Sequence, residues 1–367
     1  MEDPPRITVT DLADGTVPGP VLDEAGHVAE PLVVVELDDG GPPPTPEHAA
    51  ARARDHTGLL IGIATGPLNP RLRPLAEALD LTLAAAGDAR PCVTVADPVA
   101  EARALGRAVA DNPHASCVLG QVLRITEALP VPAALDAESF AYSTLLAGPE
   151  FRRWLDSRGR RTPSPRATGL PVIARRDGTR LLITLNRPER RNAYGRQLRD
   201  ALTDALRVAL LDPAITQVVL DGAGPCFCSG GDLDEFGTAP DLATAHFVRT
   251  RAGAGRLIHD LGPRIEARLH GPCIGAGIEL AAFAGTVVAA QDSTFRLPET
   301  AMGLIPGAGG TISITRRIGR WRTLYLALTG RPLDAPTALA WGLADRLTDR
   351  LTDRVAGTVI DRADHAT

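Results

Sequence analysis

The first third of the chain carries short apolar runs without helical spacing. Residues 32–37 (LVVVEL) and 59–64 (LLIGIA) read as buried strands, and 92–97 (CVTVAD) as a shorter one. Residues 1–30 are polar and rich in Gly and Pro, which predicts irregular chain. Residues 42–56 (PPPTPEHAAARARDH) read as a proline-punctuated loop running into a helix, and 71–86 (RLRPLAEALDLTLAAA) as helix. From 98 to 154 the spacing is helical throughout, broken at Asn112-Pro113 and at the PVP of 130–132. The stretch 162–171 (TPSPRATGLP) is the clearest linker, and the domain boundary is placed there. The expected division is therefore 1–161, a linker at 162–171, and 172–367.

Beyond the linker the texture changes. Strands are expected at 180–185 (RLLITL), 217–221 (QVVLD), 264–269, 286–291 (TVVAAQ) and 294–299 (TFRLPE), and an amphipathic helix at 196–211. Three glycine-rich turns separate them: 222–232 (GAGPCFCSGGD), 271–277 (GPCIGAG) and 306–311 (PGAGGT). The first leads into a helix expected to reach residue 261, and the second opens straight into the helix IELAAFAG. Strands alternating with helices through glycine turns define an α/β fold.

Composition narrows the function classes. The chain is 44% apolar but 4% aromatic, so its core is aliphatic, and a net charge of −5 argues against general nucleic-acid binding. All 39 basic residues are arginine, which removes lysine Schiff-base chemistry. The five cysteines (Cys92, Cys117, Cys226, Cys228, Cys273) are odd in number and scattered, as suits a reducing compartment. Cys226 and Cys228 lack a second pair or a nearby His, so no metal site is expected. MEDPPRITV has neither the basic start nor the apolar run of a signal peptide, and no run reaches membrane-spanning length. A cytoplasmic protein is expected, with no membrane partner.

The candidate chemistry lies in HGPCIGAGIEL (270–280). Gly275 and Gly277 allow close backbone approach, and the free N–H groups of a helix start favour a developing oxyanion. Glu279 projects from the same turn. The FCSGGD turn (227–232) offers Ser229 N–H as a second donor. Two N–H groups beside a carboxylate are the parts needed to stabilise an enolate and move a proton. Each motif alone is equally an ordinary strand-to-helix connection, with Glu279 capping its helix. By the same reasoning His270 is a structural hydrogen-bonder and Asp232 braces its turn. Glu235 is read as part of a solvated helix face, the alternative being that it lines the acyl pocket, and Tyr142 and Trp154 are core residues.

Five motifs occur in order: LNRPERRNAY (185–194), CFCSGGDLDEF (226–236), GPCIGAGIEL (271–280), FRLPETAMGLIPGAGGT (295–311) and LTGRPLDAPTALAWGLAD (328–345). Over about residues 170–350 the chain thereby resembles the enoyl-CoA hydratase/isomerase (crotonase) superfamily. The resemblance implies a ββα spiral core and thioester chemistry. The oxyanion donors would be the backbone N–H groups of Ser229 and Ala276, and the catalytic glutamates Glu279 and Glu299. In hydratases of the family the first glutamate helps activate water and the second exchanges the α-carbon proton; isomerases keep only the second. Arg190, Arg191, Ala193, Gly230, Gly231, Asp232 and Gly275 match regions that line the carrier channel. The carrier is coenzyme A or an acyl carrier protein, and no further cofactor is implied. The implied assembly is a trimer or hexamer.

Retaining both glutamates tilts the expectation toward hydration or dehydration of a 2-enoyl thioester. The alternatives are a double-bond isomerase, thioester hydrolase, decarboxylase or cofactor-free dioxygenase and, in another class, a non-catalytic scaffold. One departure stands out. Only 22 residues follow the GLAD motif (342–345), including a tandem LTDRLTDR, where the family continues with helices that cover the acyl pocket. Residues 96–161 resemble that missing tail. The N-terminal half is thus expected to be a degenerate, catalytically silent crotonase-like copy whose helices pack over the core. The alternative is an unrelated α/β appendage.

Overall fold

The computed structural model describes residues 3–349 and 358–359, except 19–21, 25, 27, 40, 43–44, 88 and 160–168. Most of the expected linker and much of the LTDRLTDR repeat lie outside the described residues.

The N-terminal half comprises β1 (Arg6–Thr8), α1 (Val9–Asp14), β2 (Leu32–Glu36), α2 (Thr45–Asp55), β3 (Leu59–Pro67), α3 (Arg73–Ala78), β4 (Leu81–Ala86) and β5 (Cys92–Thr94). Four helices follow: α4 (Pro98–Asp111), α5 (Pro113–Thr126), α6 (Val131–Leu146) and α7 (Pro149–Ser157). The five strands form one parallel sheet in sequential order. Such a sheet needs cover on both faces. Leu12, Ala49, Ala53 and Leu75 of α1, α2 and α3 supply one cover, and Ala102, Leu105 and Leu119 of α4 and α5 the other.

Two expectations fail here. Residues 6–14 are ordered: Thr8 and Asp11 form a reciprocal capping box, and Val9 and Leu12 are fully buried. Residues 81–86 are strand, because LTLAAA is buried on both faces. A short buried strand and a buried helix segment cannot be told apart by periodicity. The Asp80 carboxylate just before it accepts from Leu60 N–H at 2.9 Å and pairs with Arg124 at 2.7 Å, locking it beside β3.

The C-terminal half contains β6 (Val172–Asp177), β7 (Arg180–Leu185), α8 (Arg196–Leu211), β8 (Gln217–Gly222), α9 (Leu242–Ala252), α10 (Ala254–Leu261), β9 (Ile265–Leu269), β10 (Pro272–Ile274) and α11 (Ala276–Glu279). It continues with β11 (Thr286–Ala290), β12 (Thr294–Arg296), α12 (Gly310–Thr329), β13 (Leu333–Asp334), α13 (Ala335–Trp341), β14 (Arg346–Thr348) and β15 (Thr358–Val359). A seven-stranded sheet runs β14-β11-β9-β8-β7-β6-β15, parallel from β14 to β7, with β6 and β15 each antiparallel to its neighbour. β10, β12 and β13 form a smaller sheet beside it.

The helix expected from the first glycine turn to residue 261 is in fact turns at 233–237 followed by α9 and α10, which meet at Gly253. Asp241 caps α9 through Thr244 N–H, and Gly253 is extended (φ −70°, ψ 143°). The helix expected at 278–285 is one turn of α11 and a 3-10 turn at 281–283.

The halves share one apolar core. Leu119, Tyr142 and Phe151 belong to the same cluster as Ile278, Ile314 and Leu324. The second part of α12, redirected at Gly319 (φ +83°), reaches into the first half. There Trp321 Nε1 donates to Leu79 O at 3.0 Å, Arg320 Nη2 donates to Glu77 O at 2.6 Å, and Tyr325 donates to Glu101 at 2.8 Å.

Candidate active site

Parallel neighbours β8 and β9 end on the same edge, so the two glycine turns leave it side by side, the usual place for a ligand in such sheets. Cys228 and Cys273 form an isolated parallel bridge between the turns. Packing there is so close that a Cβ at Gly277 would overlap the Cys228 carbonyl. β10 pairs with β12, and Gly275 N–H donates to Arg296 O at 2.9 Å. This register carries Glu299, three residues on, against Gly275. A Cβ at Gly275 (φ +49°) would overlap Glu299 Oε1 and lie 3.7 Å from Glu279 Oε1. Glycine there lets the two carboxyls face one space.

That space is a cavity of about 400 Å³, lined by both glutamates, Gly231, Ala276, residues 307–309 and the α6 side chains Glu138, Ser139 and Tyr142. The α6 helix does what was expected of helices 98–155: it encloses the cavity. Tyr142 is not merely core, because its ring packs against Gly307 of the third glycine turn and lines the cavity.

The carboxyls differ sharply in their partners. Glu279 Oε2 accepts from Ala308 N–H at 2.7 Å and Gly310 N–H at 2.9 Å. Burial raises its pKa, the two donors oppose that, and the result is about 7. Glu299 Oε2 is buried with no hydrogen-bond partner among the described residues. Burial, then repulsion from Glu279, pushes its pKa well above the ordinary value.

A third carboxyl was missed in the sequence. Glu138, 2% exposed, accepts from Gly309 N–H at 2.8 Å, Thr311 N–H at 3.0 Å and Thr311 Oγ1 at 2.7 Å. Four successive N–H groups, 308 to 311, thus alternate between Glu279 and Glu138. Burial, reinforced by Glu279, outweighs those donors and raises the Glu138 pKa to about 8. One signal was available: Val131, Ala134, Glu138, Tyr142 and Leu145 form the buried stripe of α6, with one acid in it.

Other expected residues are placed differently. Ser229 N–H donates to Arg191 O at 3.0 Å, so it is spent and cannot serve an oxyanion. Among the described residues, no backbone carbonyl takes the N–H of Gly231 or of Ala276, and both residues line the cavity. Arg190 is held by Asp232 at 2.6 Å and Asp234 at 2.9 Å. It braces the turn from inside instead of offering a free cation, as Asp232 was expected to do. Arg191, in the left-handed region (φ +51°), is exposed, and neither it nor Ala193 lines the cavity, whereas Asp232 does. Gly230 (φ +100°) instead packs beneath Ile274 O. Glu235 lies on the cavity wall and accepts from Arg196 N–H at 2.9 Å, at the start of α8. His270 Nε2 meets Gly224 O at 3.0 Å, the structural role expected. The five cysteines are buried, and burial raises the Cys226 and Cys228 thiols.

Known proteins share this half of the chain. A probable enoyl-CoA hydratase of Mycobacterium bovis is 36% identical over 177 residues, spanning 48% of this chain and 67% of that protein. The 2,3-dehydroadipyl-CoA hydratase of Escherichia coli is 37% identical over 172 residues, 47% of this chain and 67% of the relative. A 1,2-epoxyphenylacetyl-CoA isomerase of E. coli is 36% identical, over 44% and 64%. The enoyl-CoA hydratase structure from Thermoplasma volcanium is 32% identical, covering 50% of this chain and 73% of that one, with a TM-score of 0.46. The enoyl-CoA hydratase/isomerase family model matches residues 176–366, and the chain therefore belongs to that family.

Proposed function

We propose that this chain adds water to, or removes it from, a 2-enoyl thioester carried on coenzyme A or an acyl carrier protein. The observation that carries this reading is Glu299 Oε2, a buried oxygen without a hydrogen-bond partner among the described residues, in one cavity with a Glu279 held by two N–H donors. A pair of carboxyls with separated environments divides into a base and an acid. Glu279, the better stabilised as an anion, takes a proton from water as the oxygen attacks the β-carbon. The carbonyl oxygen gains the charge and is held by Gly231 and Ala276 N–H; one such donor lowers a barrier by about 3–4 kcal/mol. Glu299, which burial keeps protonated, then gives its proton to the α-carbon and the thioester re-forms. The carrier is part of the substrate, and no other cofactor enters the balance. Glu138 acts as a positioning residue: it holds the 309–311 backbone in which Glu279 is seated.

Mass spectrometry of crotonyl-CoA incubated with the protein tests the reaction. Product heavier by one water is expected. A product of unchanged mass with a displaced double bond would show an isomerase and refute the hydratase assignment.

A further inference from the structure

The cavity has a second polar wall that the proton transfers leave unused. Arg249, in the last turn of α9, reaches across to α6. Its Nε donates to Ser139 Oγ at 3.0 Å, and its Nη2 donates to Ser139 O at 3.2 Å and to Ser143 Oγ. The guanidinium lies over the Tyr142 ring, 4.6 Å from the centroid. Four contacts from one helix fix its plane, unlike a solvated surface arginine. Of the four other arginines on the cavity wall, Arg199 pairs with Asp200, Arg256 pairs with Asp260, and Arg152 and Arg196 are exposed to solvent, whereas Arg249 is partly buried. Arg249 has no ion-pair partner among the described residues, and none of them accepts a hydrogen bond from its Nη1. Glu138, adjacent to Ser139 in the chain, spends both oxygens on the 309–311 loop.

A guanidinium does not shed its proton in a protein. A desolvated cation that feels the Glu138 carboxyl but shares no hydrogen bond with it is costly until something pairs with it. The missing partner has a defined chemistry: a planar anion that accepts from the remaining N–H groups. We propose that the acyl pocket selects thioesters whose acyl chain ends in a carboxylate remote from the thioester, with Arg249 as the specificity-determining residue. This rests on the thioester reading of the site.

The test is binding by titration calorimetry to the full chain, using saturated thioesters that hydration cannot consume. Glutaryl-CoA and pentanoyl-CoA form one pair of equal length, and adipyl-CoA and hexanoyl-CoA a longer pair. The dicarboxylyl member of at least one pair should bind about tenfold tighter or more. Arg249→Gln should reduce that preference to about twofold or less while binding the neutral thioester as the wild type does; Arg249→Lys should keep part of it. Equal affinities within both pairs in the wild type, or a preference surviving Arg249→Gln, would overturn the proposal and leave the thioester site intact. Failure of all four thioesters to bind, and of the same four acyl groups carried on an acyl carrier protein, would instead overturn the thioester reading and this inference with it.

Discussion

Both halves of the chain build a sheet of buried parallel strands, yet the cavity that holds Glu279 and Glu299 lies at the edge of the second. At the carboxyl edge of β2 and β3, the Asp38 carboxylate ties down Thr65 through its N–H at 2.8 Å and its hydroxyl at 2.9 Å. The space beside Gly62 on β3 is filled by Leu37 and Leu79. At the corresponding edge of β8 and β9, the chain leaves through Gly230 and Gly275 with positive φ, and one buried oxygen, Glu299 Oε2, has no hydrogen-bond partner among the described residues. A parallel sheet supplies an edge; glycine turns that keep side chains out turn that edge into a site. The first half then contributes by its helices, since α6 closes the cavity and places Glu138 and Tyr142 in it.

Removing the first half is the severest way to break this comparison. Deleting residues 1–161 strips Leu119, Tyr142 and Phe151 from a core shared with Ile278 and Ile314. The remaining chain should appear in the insoluble fraction with no turnover. A soluble, active truncation would show that the halves are independent.

Substitutions within the second half come next. Glu299→Gln should lower kcat by ~10³-fold or more with little change in binding of a saturated thioester, and Glu279→Gln by ~10²–10³-fold. The wild-type rate should rise with pH through about 7, as Glu279 ionises, and fall once Glu299 loses its proton. Steady-state rates from pH 5 to 9.5 check the order; near wild-type rates in either variant would remove that residue from the proton transfers.

The subtlest effect separates Glu138 from Glu279 and Glu299. Glu138, at about 8, is still protonated as Glu279 ionises at about 7, so Glu138→Gln should lower kcat about tenfold through the loosened 309–311 loop and leave the acid limb of the pH–rate profile in place. A limb displaced to lower pH would show instead that Glu138 carries charge while Glu279 titrates. Stability gives an independent reading. The Glu138 pKa is about 8 in the folded chain against an ordinary 4.5, so the folded state binds more protons between those values and loses stability as pH rises through them. Thermal unfolding of the wild type should therefore weaken more from pH 5 to 9 than that of Glu138→Gln.

Much of this was legible in the residues. α8 begins and ends where its amphipathic spacing places it, at Arg196 and Leu211, and the Asn112-Pro113 break separates α4 from α5. Glu279 and Glu299 were legible because motif order fixes them, not because either carboxyl is distinctive alone. β4 was misread because a short run buried on both faces has no period. Ser229 was misassigned because spacing identifies a glycine turn without saying which N–H it leaves free; that depends on the Arg191 carbonyl, 38 residues earlier in the sequence.

The sequence by itself determined the strand and helix alternation, the three glycine turns and the family, since these rest on local periodicity and on ordered motifs within one half. Only the tertiary structure decided what surrounds the carboxyls. Glu138 lies 141 residues from Glu279 in the chain yet shares its run of backbone donors, and Arg249 is held by serines of α6. Such meetings depend on how α6 packs across the second sheet's edge. Proton affinity depends on burial and on neighbouring charge, and neither is a property of a residue's place in the sequence.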